Sequence, residues 1–391
     1  MDPVRNPFAP GAGSRPPELA GRDDIIAAAE VALQRVLLGK HDRSQILLGL
    51  RGVGKTVLLN HIQSLAEKHH HIATMIEAPE DRPLVELLFP RIHYVLRQLS
   101  LTDRAKSLAY RGLRALRSLA SVFKIKIGDT SISVDPEPGA ADSGNLEDDL
   151  ADVFMRTGEA AKSAGRAWTL LIDEVQYLSK PDLSALIVSL HRLNQKGLPV
   201  IFFGAGLPQI AELAGDAKSY AERLFNFPAI GALDHHSAME AIRGPVEAEG
   251  EAISTDALEA IAEQTRRYPY FLQEWGFQIW NLAEMSPIER ELVPVATNLA
   301  VRRLDESFFR VRFDRLTPKE REYVFAMARL GAGPYRSSDV AAMLGEPVQS
   351  LGPRRASIIR KGMIYSPAHG DIAFTVPLFE EFLGRIGQQA V

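Results

Sequence analysis

The stretch that decides the fold is ILLGLRGVGKTVLLN, residues 46–60. An apolar run leads into a glycine-rich loop that ends in Lys-Thr, and an apolar pattern with helical spacing follows. Residues 49–56 match G-x-x-x-x-G-K-[ST] in full, between a predicted strand and a predicted helix. The pattern predicts a phosphate-binding loop, because glycines let the backbone curl until its N–H groups point at phosphate oxygens. The alternative is a glycine-rich turn with a chance lysine, and the strand–loop–helix context argues against it.

Each polar residue of this loop has an expected role. Lys55 is expected to reach the β- and γ-phosphates of a nucleotide, and the Thr56 hydroxyl to ligate Mg²⁺. The remaining residues expected to contact the nucleotide around the loop are Gly49, Arg51, Gly52, Val53, Gly54 and Val57.

A second motif supplies carboxylates for the same site. WTLLIDE, residues 168–174, is an apolar strand pattern that ends in two acids. In a parallel sheet the carboxyl ends of the strands meet at one edge, which predicts Asp173 beside the phosphate loop. We expect Asp173 to hold Mg²⁺ through water and Glu174 to act as the general base on the attacking water. Two acids that merely cap the next turn are the alternative. Together the two motifs predict a site for ATP and Mg²⁺.

Composition narrows the class of protein. The chain has 391 residues, 46% of them apolar and 24% charged, enough for roughly two to three domains. It has no cysteine, which excludes disulfides, thiol catalysis and thiolate metal sites. The opening residues lack a signal-peptide core, and no apolar run reaches the ~20 residues of a membrane span. We therefore expect a cytoplasmic protein that does not cross a membrane.

Strand and helix patterns alternate along the first two hundred residues, which favours a parallel α/β sheet. Residues 102–145 interrupt that order with a basic amphipathic stretch and with FKIKIGDTSISVD, an alternating pattern that predicts a hairpin. From about residue 234 the pattern turns helical. The predicted domains are an α/β nucleotide-binding domain at 1–233, a helical lid at 234–305 and a small domain at 306–391.

GLRGVGKT, LLIDEVQYL and YPYFLQEWG resemble AAA+ ATPases of the origin-recognition-like branch, which contains archaeal initiators and many bacterial ATP-binding proteins. The resemblance implies a P-loop α/β base followed by a helical lid. It also implies an arm that closes over adenine, and PPELAGRD, residues 16–23, resembles that arm. Gly21, Arg22 and, on the lid, Pro269 therefore join the expected nucleotide contacts. A disordered leader is the alternative to the arm.

Two departures from the family pattern predict slow or conditional hydrolysis. The family usually ends its fourth core strand on a polar residue that senses the γ-phosphate, whereas IFFGAG, residues 201–206, has none and Gln209 is a poor substitute. The family also presents a lid arginine to the γ-phosphate, and Tyr270 stands at the aligned position. Arg266 or Arg267 would have to act from a displaced site. Losing either contact weakens transition-state stabilisation by a few kcal/mol.

Arg223 stands where AAA+ proteins place the arginine finger, just before the last core strand. A finger reaches the ATP of a neighbouring subunit, which implies a homo-oligomer formed on ATP binding and activity that depends on assembly. The alternative is a structural arginine paired with Glu222 or with the lid.

The last eighty residues predict three helices and two strands, an arrangement that resembles a winged helix-turn-helix with the third helix, residues 353–362, in the recognition role. Residues 302–391 carry 14 Lys and Arg against 10 Asp and Glu. We expect contacts to double-stranded DNA from Gln349, Arg354, Arg355, Arg360 and Lys361. Winged helices also serve as protein-docking modules, and this excess is modest against the roughly 6–10 phosphate contacts of tight binders.

The leading hypothesis is an ATP-dependent DNA-binding AAA+ protein, in which ATP closes the lid and positions the winged helix on duplex DNA. The second hypothesis is a STAND-type signalling or scaffold switch, whose winged helix packs on the nucleotide domain until an event elsewhere releases it to recruit a protein. The lack of a long repeat sensor counts against that second hypothesis. A fold that holds nucleotide without turnover is disfavoured by the Asp173–Glu174 pair.

Overall fold

The structure is a computed structural model that describes residues 1–11, 19–80, 82–125 and 134–388. Contacts divide the chain into two compact units. The sheet unit comprises Arg22–Gly49 and Lys55–Ile230, and the C-terminal unit comprises Met1–Gly21, Leu50–Gly54 and Gly231–Val391. The middle of the phosphate loop, Leu50–Gly54, therefore belongs by its contacts to the C-terminal unit. The domain boundaries at residues 233 and 305 stay predictions.

The sheet unit alternates helices and strands as the sequence patterns predicted. Its elements in chain order are α1 (Asp23–Leu37), β1 (Ser44–Leu48), α2 (Lys55–Lys68), β2 (His71–Glu77), α3 (Leu84–Ser100), α4 (Asp103–Val122), α5 (Leu146–Ser163), β3 (Ala167–Asp173), α6 (Lys180–Gln195), β4 (Val200–Gly206), α7 (Ile210–Ala217), α8 (Ala221–Leu224) and β5 (Phe225–Asn226).

The five strands form one parallel sheet in the order β2–β3–β4–β1–β5. Every residue of β3 and β4 is buried, as expected for strands covered on both faces by helices. The order places β4 between β1, the strand before the phosphate loop, and β3, the strand that ends in Asp173. Both strands therefore pair with β4. The predicted parallel α/β sheet is confirmed.

The interruption predicted at residues 102–145 is partly described. Its basic stretch is the helix α4, whose buried face packs against α3 and α5. Gly112 makes this close approach possible, because an added Cβ would lie 2.6 Å from a methyl carbon of Leu96 on α3. Most of the predicted hairpin, residues 126–133, lies outside the described residues.

The C-terminal unit is mainly helical. Its elements are α9 (His235–Ala248), α10 (Thr255–Gln264), α11 (Pro269–Leu282), α12 (Val293–Arg303), α13 (Arg310–Phe313), α14 (Pro318–Arg329), β6 (Tyr335–Arg336), α15 (Ser337–Leu344), α16 (Gly352–Arg360), β7 (Ile364–Tyr365), β8 (Asp371–Phe374) and α17 (Phe379–Gln388). A π-helical segment, Leu304–Phe309, joins α12 to α13.

The last part of this unit combines the three predicted helices, α14 to α16, with a small antiparallel sheet. The sheet has three strands in the order β6–β8–β7, one more than predicted. The extra strand β6 is two residues long, too short to leave a period-2 pattern in the sequence. A capping box formed by Thr317 and Glu320 is present at the start of α14. The winged-helix identification stays a prediction.

No helix among the described residues is long and apolar enough to cross a membrane.

Candidate functional site

The phosphate loop follows β1 and ends where α2 begins at Lys55. Gly52 and Gly54 adopt left-handed φ values of 84° and 92°, a conformation that glycine reaches without the steric cost of a Cβ. The Lys55 side chain is only 7% exposed, and its Nζ donates to the carbonyl oxygen of Gly49 at 2.8 Å. This bond holds a buried cation at the first residue of the loop, where a phosphate can exchange for the carbonyl as its partner.

Asp173 lies at the end of β3 and is 4% exposed. The Thr56 hydroxyl donates to its Oδ2, so the two predicted metal-binding side chains lie in contact. Burial raises the pKa of the Asp173 carboxyl, and the Thr56 hydrogen bond only partly offsets that effect. A divalent cation would supply the missing positive charge. Mg²⁺ suits such a pair, since it uses one or two protein oxygens and completes its shell with water and phosphate.

Glu174 follows Asp173 in a left-handed backbone conformation, with φ 55° and ψ 40°. Its amide donates to Asp173 Oδ1 at 2.8 Å. The side-chain amide of Gln176 donates to Glu174 Oε2 and accepts from the Leu207 amide at 3.1 Å. Gln176 was missed at the sequence level, because its position two residues after an acid is no recognised signal.

The middle of the phosphate loop is held by three hydrogen bonds within the C-terminal unit. The Arg51 amide donates to the Thr375 carbonyl at 3.2 Å, and the Tyr268 hydroxyl donates to the Arg51 carbonyl. The Tyr270 amide donates to the Gly52 carbonyl at 3.2 Å. The Arg51 guanidinium lies against Gly362, where a Cβ would collide with it. The segment between α16 and α17 and the start of α11 therefore both contact the loop.

Arg312 is a second residue that sequence reasoning missed. It is stacked over the Phe308 ring, with its guanidinium carbon 3.8 Å from the ring centre. Burial and, second, the positive charge of Arg51 lower the pKa of Arg312 to about 10. Two cations thus lie near each other beside the loop, an arrangement that an anionic ligand would stabilise. Nothing in the local sequence could reveal this, because the two residues are far apart in the chain.

The other residues expected to contact nucleotide lie as follows. Val57 is half-buried in the first turn of α2, and Val53 is buried in the C-terminal unit. Pro269 is the first residue of α11. Gly21 has φ 67° and lies against the Ser237 side chain, and Arg22 stands at the N-cap position of α1 without a side-chain capping bond. Most of the predicted arm before Leu19 lies outside the described residues.

The predicted departures at the sensor positions have structural counterparts. β4 ends in glycine at Gly206, and Gln209 makes no side-chain hydrogen bond with a described residue. In the C-terminal unit, Arg266 pairs with Glu381 and lies 3.6 Å from Glu380, both on α17. Arg267 is exposed. Arg266 is thus engaged within its own unit.

Arg223 lies on α8, directly before β5, the last strand of the sheet in chain order. Its side chain is exposed and forms no ion pair with any residue of the described ranges. The alternative pairing with Glu222 is therefore not found.

The five residues predicted to contact DNA differ in their surroundings. Gln349 and Arg360 are exposed. Arg354 is 16% exposed and forms two hydrogen bonds to Glu346, at 3.1 and 3.2 Å. Arg355 donates to the Ser337 hydroxyl at 3.0 Å, and Lys361 donates to Glu320 Oε2 at 2.6 Å. Three of the four predicted cations thus have partners within the chain.

A second basic surface lies in the sheet unit, on the exposed sides of the packed helices α3 and α4. We call it the basic helix pair. Its cations make no ion pair within the part of the chain that the structure describes, and Tyr94 on α3 and Tyr110 on α4 are exposed. Its members are Arg91, Arg97, Arg104, Lys106, Arg111 and Arg114.

Two family models match the sequence. Residues 18–203 match the model described as AAA ATPase domain. Residues 306–383 match one described as Domain of unknown function (DUF8462). No curated protein matches the sequence.

Among solved structures, a Walker-type ATPase of Pyrococcus abyssi is similar at 15% identity, with 94% of this chain and 96% of that chain covered and a TM-score of 0.55. The RuvB Holliday junction branch migration motor of Thermotoga maritima is 15% identical, with coverages of 93% and 96% and a TM-score of 0.48. Cdc6p of Pyrobaculum aerophilum is 15% identical, with coverages of 100% and 99% and a TM-score of 0.47. The likeness to the Pyrococcus protein shows a shared fold, and the other two add no argument at their lower TM-scores. Residues 18–203 are therefore similar in sequence to AAA ATPase domains, and the chain shares its fold with the Walker-type ATPase of Pyrococcus abyssi.

Proposed function

We propose that this protein binds ATP with Mg²⁺ and hydrolyses the ATP slowly, as a switch. The observation that carries the proposal is the contact between Thr56 and Asp173, with the buried Lys55 at the start of the same helix. Lys55 would bind the β- and γ-phosphates, and Thr56 and Asp173 would hold the metal. The metal would neutralise charge on the phosphates. Glu174 would take a proton from the attacking water.

Slow turnover is part of the proposal. The end of β4 offers no side chain to the γ-phosphate, and Tyr270 stands where the family has an arginine. The nearest replacement on the lid, Arg266, is paired with acids of α17. A transition state without these donors loses electrostatic stabilisation, so we expect hydrolysis well below that of a motor protein.

We propose that Arg223 completes the site of a neighbouring subunit. Its exposed guanidinium forms no ion pair with a described residue, which leaves it available to a partner. Mixing Glu174→Gln with Arg223→Ala subunits tests this role, because one of the two kinds of mixed contact then joins the intact base of an Arg223→Ala subunit to the intact finger of a Glu174→Gln subunit. Activity of the mixture above that of either variant alone is the expected result. A mixture no more active than its components would contradict a finger in trans.

The proposed output of the switch is the C-terminal domain, which we interpret as a winged helix positioned on duplex DNA. The contact between Arg51 and Thr375 supports coupling, since it joins the phosphate loop to the segment after β8. Arg360 and Gln349 on the predicted recognition surface are exposed. The basic helix pair would supply a second phosphate-tracking surface.

A second candidate function is a STAND-like switch whose C-terminal domain docks protein. The observation that favours it is the pairing of Arg354, Arg355 and Lys361 within the chain, which leaves few cations of the third helix for phosphates. The DNA function instead requires that Arg360 and the basic helix pair carry the electrostatic attraction.

Two measurements test these proposals. ATP affinity of Lys55→Ala, measured by calorimetry, should fall ~10- to 100-fold, since a charge-assisted bond to phosphate is lost. Unchanged affinity would show that the site is misassigned. A gel shift on duplex DNA across a salt series, with ATP present, should show binding that weakens steeply with salt. No shift even at low salt would reject the DNA function and leave the protein-docking switch.

A further inference from the structure

Gln176 joins two parts of the proposed ATPase site through one side chain. Its Nε2 donates to Glu174 Oε2, and its Oε1 accepts from the Leu207 amide at 3.1 Å. Leu207 directly follows β4, the strand whose last residue in related ATPases carries the γ-phosphate sensor. Gln176 thus reaches from the proposed general base to the strand end that lacks a polar side chain.

The bridge needs an amide at this position. An ionised carboxylate can only accept hydrogen bonds and a backbone N–H can only donate, so the bridging group must donate at one end and accept at the other. With the amide reversed, its oxygen would face the Glu174 carboxylate and its NH₂ group would face the Leu207 amide. Two acceptors would then meet at one end and two donors at the other. Glutamine therefore has one favourable orientation, and neither an ionised Glu nor a Met can reproduce it.

Gly206 leaves room for the bridge. A Cβ built on Gly206 would lie 2.7 Å from Gln176 Oε1 and 3.0 Å from the Ile210 side chain. Any larger residue at the end of β4 would displace the amide. The glycine that leaves this strand without a polar sensor is thus also the residue that makes room for the Gln176 side chain.

The bridge continues to the phosphate loop. The Gly206 carbonyl accepts from the Gly49 amide at 3.0 Å, and the Gly49 carbonyl accepts from Lys55 Nζ at 2.8 Å. Hydrogen bonds therefore run from the Glu174 carboxylate through Gln176 and the end of β4 to the lysine at the proposed phosphate site.

We propose that Gln176 is a positioning residue for ATP hydrolysis, which holds the Glu174 carboxylate and links its placement to the end of β4. The proposal rests on the ATPase function proposed above. Glu174 has a left-handed backbone conformation at the start of the short 3-10 turn Val175–Tyr177, and Gln176 on that turn donates to its carboxylate. A general base misplaced by 1 Å can cost ~100-fold in rate.

The test compares Gln176→Met and the isosteric Gln176→Glu with wild type in steady-state ATPase assays. Both variants should lower kcat ~10- to 100-fold while KM and the ATP dissociation constant change by less than about 2-fold, since only the placement of the base is lost. Gly206→Ala should reproduce the fall in kcat. Gln63→Met is the matched control, because Gln63 makes the same kind of bond to Glu67 on the exposed side of α2, at 3.0 Å.

A double-mutant cycle separates positioning from general stability. If Gln176 acts through Glu174, adding Gln176→Met to Glu174→Gln should lower the single-turnover rate by less than about 2-fold. Additive losses, or an unchanged kcat in Gln176→Glu, would overturn the proposal. A different result marks failure of the ATPase function itself: wild type without turnover, or Glu174→Gln with wild-type turnover.

Discussion

Asp173 in the sheet unit and Glu320 in the C-terminal unit are both 4% exposed, yet their pKa values are shifted in opposite directions. Burial raises the pKa of Asp173, with one hydroxyl from Thr56 as partial compensation. Burial would also raise the pKa of Glu320, but hydrogen bonds from Lys361, Ser357 and the Thr317 amide outweigh it and lower that pKa to about 2. Glu320 already has its cation, whereas Asp173 forms no ion pair with a described residue. Incomplete compensation of a buried charge is what distinguishes a binding site from a structural pair.

The same difference separates the two regions around these acids. Around the phosphate loop, Lys55 is held by a backbone carbonyl and Asp173 by a hydroxyl, partners that phosphate and metal can replace. On the third helix, Arg354 and Lys361 are held by carboxylates. A phosphate that recruits those cations must first compete with an ion pair, which weakens the case for α16 as the main DNA contact.

The largest expected effect is on turnover at the uncompensated carboxylate. Asp173→Asn should lower kcat ~100-fold or more, because the loss of metal binding removes several kcal/mol of charge stabilisation. The extra thermal stability that Mg²⁺ adds to the ATP complex should vanish in the same variant. Melting curves with ATP and either Mg²⁺ or EDTA measure it, and Asp182→Asn on α6 is a control. A persistent Mg²⁺ increment would place the metal elsewhere.

The stability of the ligand-free protein should respond in opposite ways at the two acids. Glu320→Gln should lower the free energy of unfolding by about 2 kcal/mol, since it leaves the Lys361 ammonium without its anion. Asp173→Asn should leave that free energy unchanged or higher, because it removes a poorly compensated charge. Glu322→Gln, in the exposed pair with Lys319, is the control and should cost less than about 1 kcal/mol. Equal losses of unfolding free energy in Asp173→Asn and Glu320→Gln, measured by urea unfolding, would contradict this difference between the two acids.

The pH dependence of stability should show the lowered pKa of Glu320. Its folded pKa is about 2 against an ordinary value of 4.5, so its contribution is complete above pH 4.5 and is lost as the pH falls toward 2. The difference in unfolding free energy between wild type and Glu320→Gln should therefore shrink from pH 6 to pH 3. A difference that stays constant over this range would mean that the carboxylate is not the stabilising species.

The smallest expected effect concerns DNA. If duplex binding occurs, Arg360→Ala should reduce the slope of log affinity against log salt by about 1, the effect of one lost phosphate contact. Arg354→Ala should change that slope less, because its guanidinium is bound to Glu346. A larger effect from Arg354 would show that the ion pair opens on DNA.

Several features were accessible from the sequence because they are local. The spacing of residues 49–56 predicts a phosphate-binding loop. An apolar run that ends in two acids predicts a strand with those acids at its carboxyl end. These signals predicted the parallel sheet, and they predicted Lys55, Thr56 and Asp173 as neighbours, which the structure brings together. The short strands β5 and β6 carry too few residues for any period and depend on neighbouring strands to form.

The sequence by itself determined the positions of individual helices, strands and turns, because backbone conformation and periodicity are local properties. Only the tertiary structure decided which polar groups meet: Gln176 with Leu207, Arg51 with Thr375, Lys361 with Glu320. The physical reason is that an ion pair or a bridge joins residues far apart in the chain, so neither its charge nor its spacing leaves a local signal. A count of basic residues on the third helix measured charge, whereas the fold decided how much of that charge is already compensated.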